Sequence, residues 1–298
     1  MDNFAFGCFE SKSDNQRVFH HELTTMADPS VSLTGGYDYL PEDIEHQHKV
    51  GVCTSASLIQ NAQKTIGKRF SIEFQYLLQK KYYDGNWDEG SSILIALKVG
   101  TKYGFLPIEE WTYTKDEDRL LPYTAYIAKL QAVPESEIQR LISLCSDYKL
   151  SGYAQIDQTD PMAISRAITA SKSGILCMYL VGKEWWTSID GRNSWSPSDI
   201  NPLRAPEQYI SGHAVSNSKF DYTKSFMQKI PNTWGVTWNM RGVADINWLN
   251  YKPRECFVPY YGMTEVQLQE LKTNLRSKIS LLQKIIELYI KIISLLKR

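Results

Sequence analysis

One thiol, one imidazole and two side-chain amides stand in sequence contexts that could assemble a site for acyl transfer. Cys53 closes the stretch Gln47-His48-Lys49-Val50-Gly51-Val52-Cys53, which places an amide six positions before a Gly-x-Cys. His213 lies in Ser211-Gly212-His213-Ala214-Val215, and Asn232 opens Asn232-Thr233-Trp234-Gly235-Val236-Thr237-Trp238. Amide hydrolysis through a thiol needs these residue types. The thiol attacks the carbonyl, and an imidazole takes its proton and later returns it to the leaving amine. An amide oxygen fixes the tautomer of that imidazole, and N–H donors receive the oxyanion. In that scheme Cys53 is the nucleophile, His213 the base, Asn232 the orienting acceptor and Gln47 the side-chain donor to the oxyanion, beside the Cys53 backbone N–H.

Local pattern supports Cys53. After it, Ala56, Ile59, Ala62 and Ile66 repeat at helical spacing up to Gly67, so the thiol is expected at a helix N-terminus. Exposed N–H groups and the macrodipole there favour a thiolate. Cys53 and His213 are far apart in sequence and would have to meet across an interface between two lobes. Each residue alone has an ordinary reading: a cysteine is usually a small buried hydrophobe, and a histidine in a strand is usually structural. The conjunction of all four in one order carries the assignment.

In that order and those contexts the chain resembles the papain-like cysteine peptidases, in a divergent cathepsin-like branch of microbial or viral type. Asn232 to Trp238 is similar to the Asn-Ser-Trp-Gly-x-x-Trp signature of such enzymes, with Thr233 as one conservative change. Ser71-Ile72-Glu73-Phe74-Gln75-Tyr76-Leu77 resembles the segment after their active-site helix. Gly90-Ser91 followed by Ser92 to Leu97, then Tyr103 to Pro107 and Trp111 to Tyr113, resembles their substrate-strand region. The likeness spans roughly residues 35–260. It implies an α+β, two-lobed fold, a helical lobe and an antiparallel β-barrel-like lobe with the cleft between them. It also implies Gly90, Ser91 and Trp234 as substrate-binding residues, a peptide or protein substrate, and no cofactor or metal. The departures are Thr54 where the family has Trp, Val50 where it has a disulfide cysteine, a glycine pair reduced to Gly90-Ser91, and Asn239 after Trp238 in place of Gly.

Composition bounds the rest. The 298 residues, 43% hydrophobic, suffice for one large core or two modest ones. Thirty-three Lys+Arg balance 33 Asp+Glu, which removes the electrostatic case for nucleic acid. Five cysteines are few and odd in number; with Cys53 free they allow at most two disulfides, and Cys177 sits in an apolar strand-like run. That usage suits a reducing compartment, cytoplasmic or virion-associated. Met1 to Gly7 shows no basic-then-apolar leader and no window is a charge-free membrane span. His20-His21 and His46-x-His48 lack partners at metal-ligand spacing and read as solvated loop histidines.

Residues 1–36 read as an irregular lead or short pro-like segment, an ordinary arm in preference to a cover over the cleft, although Cys8 could in principle pair with Cys53. Residues 37–263 form the peptidase domain, 37–130 mainly helical and 131–263 mainly β. Within it the pattern predicts a helix from Pro134 to Tyr148, one from Pro161 to Ala170, and a strand over 175–181. Residues 264–298 form an extra C-terminal amphipathic helix: Leu275, Ile279, Leu282, Ile286, Tyr289, Ile293 and Leu296 follow heptad steps. Its wide apolar face admits self-association, packing on the body, or membrane-surface contact through 270–298. Rival functions are an amidase on a non-protein peptide such as cell-wall peptide, and a catalytically weak scaffold with a structural or inhibitory role.

Overall fold

The ends of the first long helix, α1 (Cys53–Ile66), fix where the thiol sits. The helix starts at Cys53 itself and stops at Gly67, whose φ of +77° supplies the left-handed residue that returns its N–H to the Gln63 carbonyl. This geometry belongs to a computed structural model that describes residues 7–10, 34–36, 38, 40–171, 173–182, 185, 205–221, 227–238 and 241–261. The heptad helix over 264–298 and His20-His21 lie outside the described residues.

Cys53 through Ala62 are all buried, so α1 has no solvent face there and its polar side chains must find internal partners. Thr54 and Ser55 bond to the Gln79 side chain at 3.0 and 2.7 Å. On the opposite side Asn61 donates to the Ser173 carbonyl and to Ser216 Oγ, and accepts from Tyr261 Oη at 2.6 Å. Gln60 donates to the Pro231 carbonyl at 3.3 Å. One face of the helix thus belongs to the helical half of the molecule and the other to the β half.

The helical half follows in order. α2 (Ile72–Gln79) is capped by Ser71 Oγ, which accepts the Phe74 N–H at 3.1 Å, and it continues as a π turn, Lys80–Asp84. α3 (Ile93–Lys102) is capped in the same way by Ser92. α4 (Tyr123–Gln131) and α5 (Glu135–Leu144) each begin behind a proline. They surround one hydrophobic cluster that includes Phe74, Leu77, Leu97, Phe105, Tyr126 and Ile138. The α5 residues Ile138 and Leu141 belong to this cluster, so the helical packing runs past residue 130. Inside it, Arg119 pairs with the buried Glu73 carboxylate.

The β half carries β1 (Thr34–Gly36), β2 (Leu150–Ile156), β3 (Ile175–Val181), β4 (Ser211–Asn217), β5 (Lys219–Asp221), β6 (Met227–Pro231), β7 (Val243–Asn247) and β8 (Glu255–Tyr261), with α6 (Pro161–Ser171) between β2 and β3. They form two antiparallel four-stranded sheets, ordered β2-β8-β3-β4 and β1-β5-β6-β7. The expected barrel-like lobe is therefore only loosely realised. β4 passes through Ser218 into β5 and joins the sheets at one corner, and among the described residues no ladder closes the ring. The unbroken apolar run of β3 has a plain cause: Leu176 and Met178 face the first cluster, while Ile175, Cys177, Tyr179 and Val181 face a second one.

Candidate active site

Three elements bring the sequence-predicted groups together: the N-terminus of α1, the strand β4, and the loop after β6. The backbone amides of Ala214, the residue after His213, of Gly7, of Thr54 and of Cys53 itself lie near the thiol and favour its thiolate. The helix start therefore meets β4 at the His213–Ala214 peptide. His213 Nε2 lies 2.7 Å from Asn232 Oδ1, which also accepts the Thr233 N–H at 2.7 Å. Because that oxygen accepts only, it selects the tautomer with the proton on Nε2 and leaves Nδ1 as the basic nitrogen.

Gln47 closes the ring. Its backbone N–H donates to the Thr233 carbonyl at 2.8 Å, and its Oε1 accepts the Thr233 hydroxyl at 2.7 Å. Fixing the oxygen end by a hydroxyl donor fixes the amide's orientation, so Nε2 points the other way, to the Val50 carbonyl at 3.3 Å in the loop leading to Cys53. Thr233 is a residue that sequence reasoning passed over. The signal was present in the conservative change, since threonine keeps the hydroxyl that serine would supply.

Behind the imidazole lies an aromatic wall. Trp234 and Trp185 have ring centroids 4.7 and 5.7 Å from that of His213. Trp185 Nε1 donates to Tyr251 Oη at 3.0 Å, and Trp238 Nε1 to the Trp185 carbonyl at 2.9 Å. Trp234, expected to touch substrate, is wholly buried in the second cluster against the base; a large flat ring at this place keeps water from the His213–Asn232 bond.

Gly90 and Ser91 reach the same groove. The Gly90 carbonyl accepts Lys80 Nζ at 2.8 Å, and its N–H donates to Tyr76 Oη at 3.0 Å. Lys80 is held in turn by Asp84 at 3.0 Å, four residues on in the π turn. Ser91 Oγ donates to Asp84 at 3.2 Å. Lys80 and Asp84 carry no motif signal, because their contribution depends on a π turn that only the folded helix reveals.

The chain's own residues 7–9 pair with Ser91 and with Gly212 on β4. Ser91 N–H donates to the Gly7 carbonyl at 2.7 Å, Phe9 N–H to the Ser91 carbonyl at 2.8 Å, and Cys8 N–H to the Gly212 carbonyl at 3.2 Å. The Cys8–Ser91 bridge is parallel. Gly212 must lack a side chain, since a Cβ there would collide with the Cys8 carbonyl. Within the lead segment, residues 7–9 thus have specific backbone partners in Ser91 and Gly212. Their apolar and small side chains alone gave no pattern, whereas pairing with an unsatisfied strand edge gives them a place.

Covering changes the electrostatics. Burial pushes the Cys53 thiol up to about 11 in spite of the amides around it, and lowers His213 to about 4 against the raising effect of Asn232. The sequence expectation of a ready thiolate therefore does not describe this covered state, in which desolvation outweighs the helix terminus. Cys8 is also raised, by burial and then by the neighbouring Cys53 and Glu255.

His46 and His48 stack at 3.8 Å, with His48 N–H donating to His46 Nδ1 at 2.9 Å. They support the Gln47 loop, where His46 pairs in a bridge with Trp234. Among the described residues no group of three His, Cys, Asp or Glu side chains could hold a metal ion, and no helix is long and apolar enough to cross a membrane.

No protein-family model matches the chain, and no curated protein sequence does. Solved structures do. The chain is similar to xylellain, a cysteine protease from Xylella fastidiosa, at 20% identity and TM-score 0.62, over 86% of this chain and 95% of that one. It is also similar to a digestive procathepsin L of the Tenebrio molitor larval midgut, at 14% identity and TM-score 0.57, over 84% and 75%. A procathepsin B from Trypanosoma congolense superposes at 13% identity and TM-score 0.54, over 87% of each chain. The fold is papain-like, a divergent example by sequence.

Proposed function

We propose that this protein is a cysteine peptidase that hydrolyses peptide bonds through a thioester on Cys53. The observation that carries the reading is the closed ring of contacts Cys53–Ala214, His213–Asn232, Thr233–Gln47 and Gln47–Val50. Asn232 orients His213, His213 takes the thiol proton, and the leaving amine regains it from the same nitrogen. Gln47 Nε2 turns from the Val50 carbonyl to the oxyanion. A structural scaffold has no physical need for a buried imidazole with this partner, nor for an amide oriented by a hydroxyl at its side.

A peptide substrate would add as a strand to the edge used by residues 7–9, exchanging backbone hydrogen bonds with Ser91 and the Gly212 carbonyl. Gly90 stays free of a side chain there because a Cβ would meet the Gly7 backbone. Residues 7–9 then act as a built-in blocker, and activity requires their displacement or removal. The similar structures from Tenebrio and Trypanosoma are themselves proenzyme forms by name.

A fluorogenic peptide library tests this, with full-length protein, protein nicked within residues 11–33, and Cys53→Ala. Hydrolysis that appears on nicking and vanishes with Cys53→Ala supports the reading. Activity retained in Cys53→Ala overturns it. Hydrolysis of cell-wall peptides alone would move the substrate class and keep the mechanism.

A further inference from the structure

Two cysteines outside the active site face each other across the second half of the molecule. Cys177 on β3 is the register partner of Cys256 on β8, their sulfur atoms lie 3.1 Å apart, and both side chains are fully buried. Directly opposed residues of an antiparallel ladder have Cα atoms about 4.5–5.5 Å apart, inside the span of roughly 4.4–6.8 Å that a disulfide bridges. Bonding needs the sulfurs to approach by only about 1 Å, within reach of side-chain rotation.

The other cysteines do not compete. Cys8 and Cys53 lie in the groove, and Cys145 belongs to the first cluster with its thiol on the Leu141 carbonyl at 3.3 Å. Cys177 and Cys256 share the second cluster with Ile156, Val215 and Val258. Burial raises the Cys177 thiol well above its usual range, and both side chains are closed to solvent, so the pair is out of reach of reagents once folded and reacts while the sheet assembles.

We propose that Cys177 and Cys256 form a cross-strand disulfide when the chain folds in the presence of a low-molecular-weight disulfide, which clamps β8 to β3, the neighbour of the strand carrying His213. One protein thiolate attacks the oxidant's S–S bond, forming a mixed disulfide and releasing one small thiolate. The second protein thiolate attacks the protein sulfur of that mixed disulfide, closing the Cys177–Cys256 bond and releasing the other. The two protons shed by the protein end on the two small thiols, and the oxidant takes the two electrons. This modification stands apart from the peptidase reading.

The experiment uses full-length Cys53→Ala protein, which removes scrambling through the groove thiol. It is refolded with oxidised and reduced glutathione or with dithiothreitol, blocked with N-ethylmaleimide in denaturant, and mapped without reduction. The expected result in the glutathione sample is a linked peptide pair through Cys177 and Cys256, two hydrogens lighter than the separate peptides. Its Tm should be about 5–10 °C above that of the dithiothreitol sample, and Cys177→Ala should abolish both differences. If refolding fails, the same map is made on protein secreted through an oxidising compartment. Soluble, folded protein in which both cysteines are alkylated, or are linked to Cys8 or Cys145, overturns the proposal.

Discussion

The backbone amide of Gly7 lies near the Cys53 thiol and favours its thiolate. Ser91 and Gly212 hold the arm that carries it by its backbone on either side. The covered thiol and imidazole are both driven toward their neutral forms by loss of water. Burial is the largest cause of both shifts, so under the proposed reading any return of water to the thiol would lower it toward its ordinary range.

A Cβ on Gly7 would run into the Gly51 backbone, so Gly7→Val should expel the arm without altering any of the four reacting or orienting groups. Brief iodoacetamide labelling at about pH 5.5, well below the free-thiol pKa near 8.5, should then modify Cys53 at least about tenfold faster than in the parent, since each unit of pKa is about tenfold in thiolate. Equal rates would mean that the arm does not control the thiol.

Thr233→Val removes the hydroxyl that fixes Gln47 Oε1 and keeps the side chain's volume. With the arm displaced, kcat should fall by about tenfold, less than the roughly hundred- to thousandfold cost of losing an oxyanion donor outright, while Thr233→Ser should restore it. Kinetics of the parent, Val and Ser proteins decide the point; a Val variant at parental kcat removes Thr233 from the orienting role.

His213 makes folding pH-dependent. Its folded value of about 4 lies below the ordinary value near 6.5, so folding favours the neutral ring. That contribution is complete above about pH 6.5, is lost as pH falls toward about 4, and amounts to roughly 3 kcal/mol by linkage. In a Cys53→Ala background, urea midpoints measured from pH 7 to 4 should fall more steeply with His213 present than in His213→Asn. Parallel curves would show that the imidazole is not held neutral.

The Arg119–Glu73 pair tests the helical core. Both side chains are nearly inaccessible, at 2% and 4%, so Arg119→Met leaves a buried carboxylate without its cation and should destabilise by about 3–5 kcal/mol. Adding Glu73→Leu should recover most of that loss in the same denaturation assay. Additive losses would instead place the cost in packing.

The candidate site was legible as a pattern because thiol, imidazole and amide have chemistry that few other side chains share, and Gly67 or the Pro161 helix start announce their elements locally. The Cys53 helix, α6 and β3 followed from periodicity and breakers. What escaped was set by tertiary contact. Trp234 looked available to substrate, but the ring is absorbed into the core behind His213. Lys80 and Asp84 hold Gly90 and Ser91 from a π turn with no sequence signature. Residues 7–9 have no periodicity and gain order only from the edge they pair with. The β half read as barrel-like, yet strand pairing separates it into two sheets, because register between distant strands is not written in either strand alone.

The most direct measurement is mass mapping of the covalent adduct formed by a thiol-directed epoxide on arm-displaced protein, Gly7→Val, in parallel with Gly7→Val carrying His213→Ala. A single adduct on Cys53, formed rapidly in the first protein and slowed by orders of magnitude in the second, is the predicted result. An adduct on Cys145 or Cys256, or an undiminished rate at Cys53 without the imidazole, would contradict a Cys53–His213 nucleophilic pair.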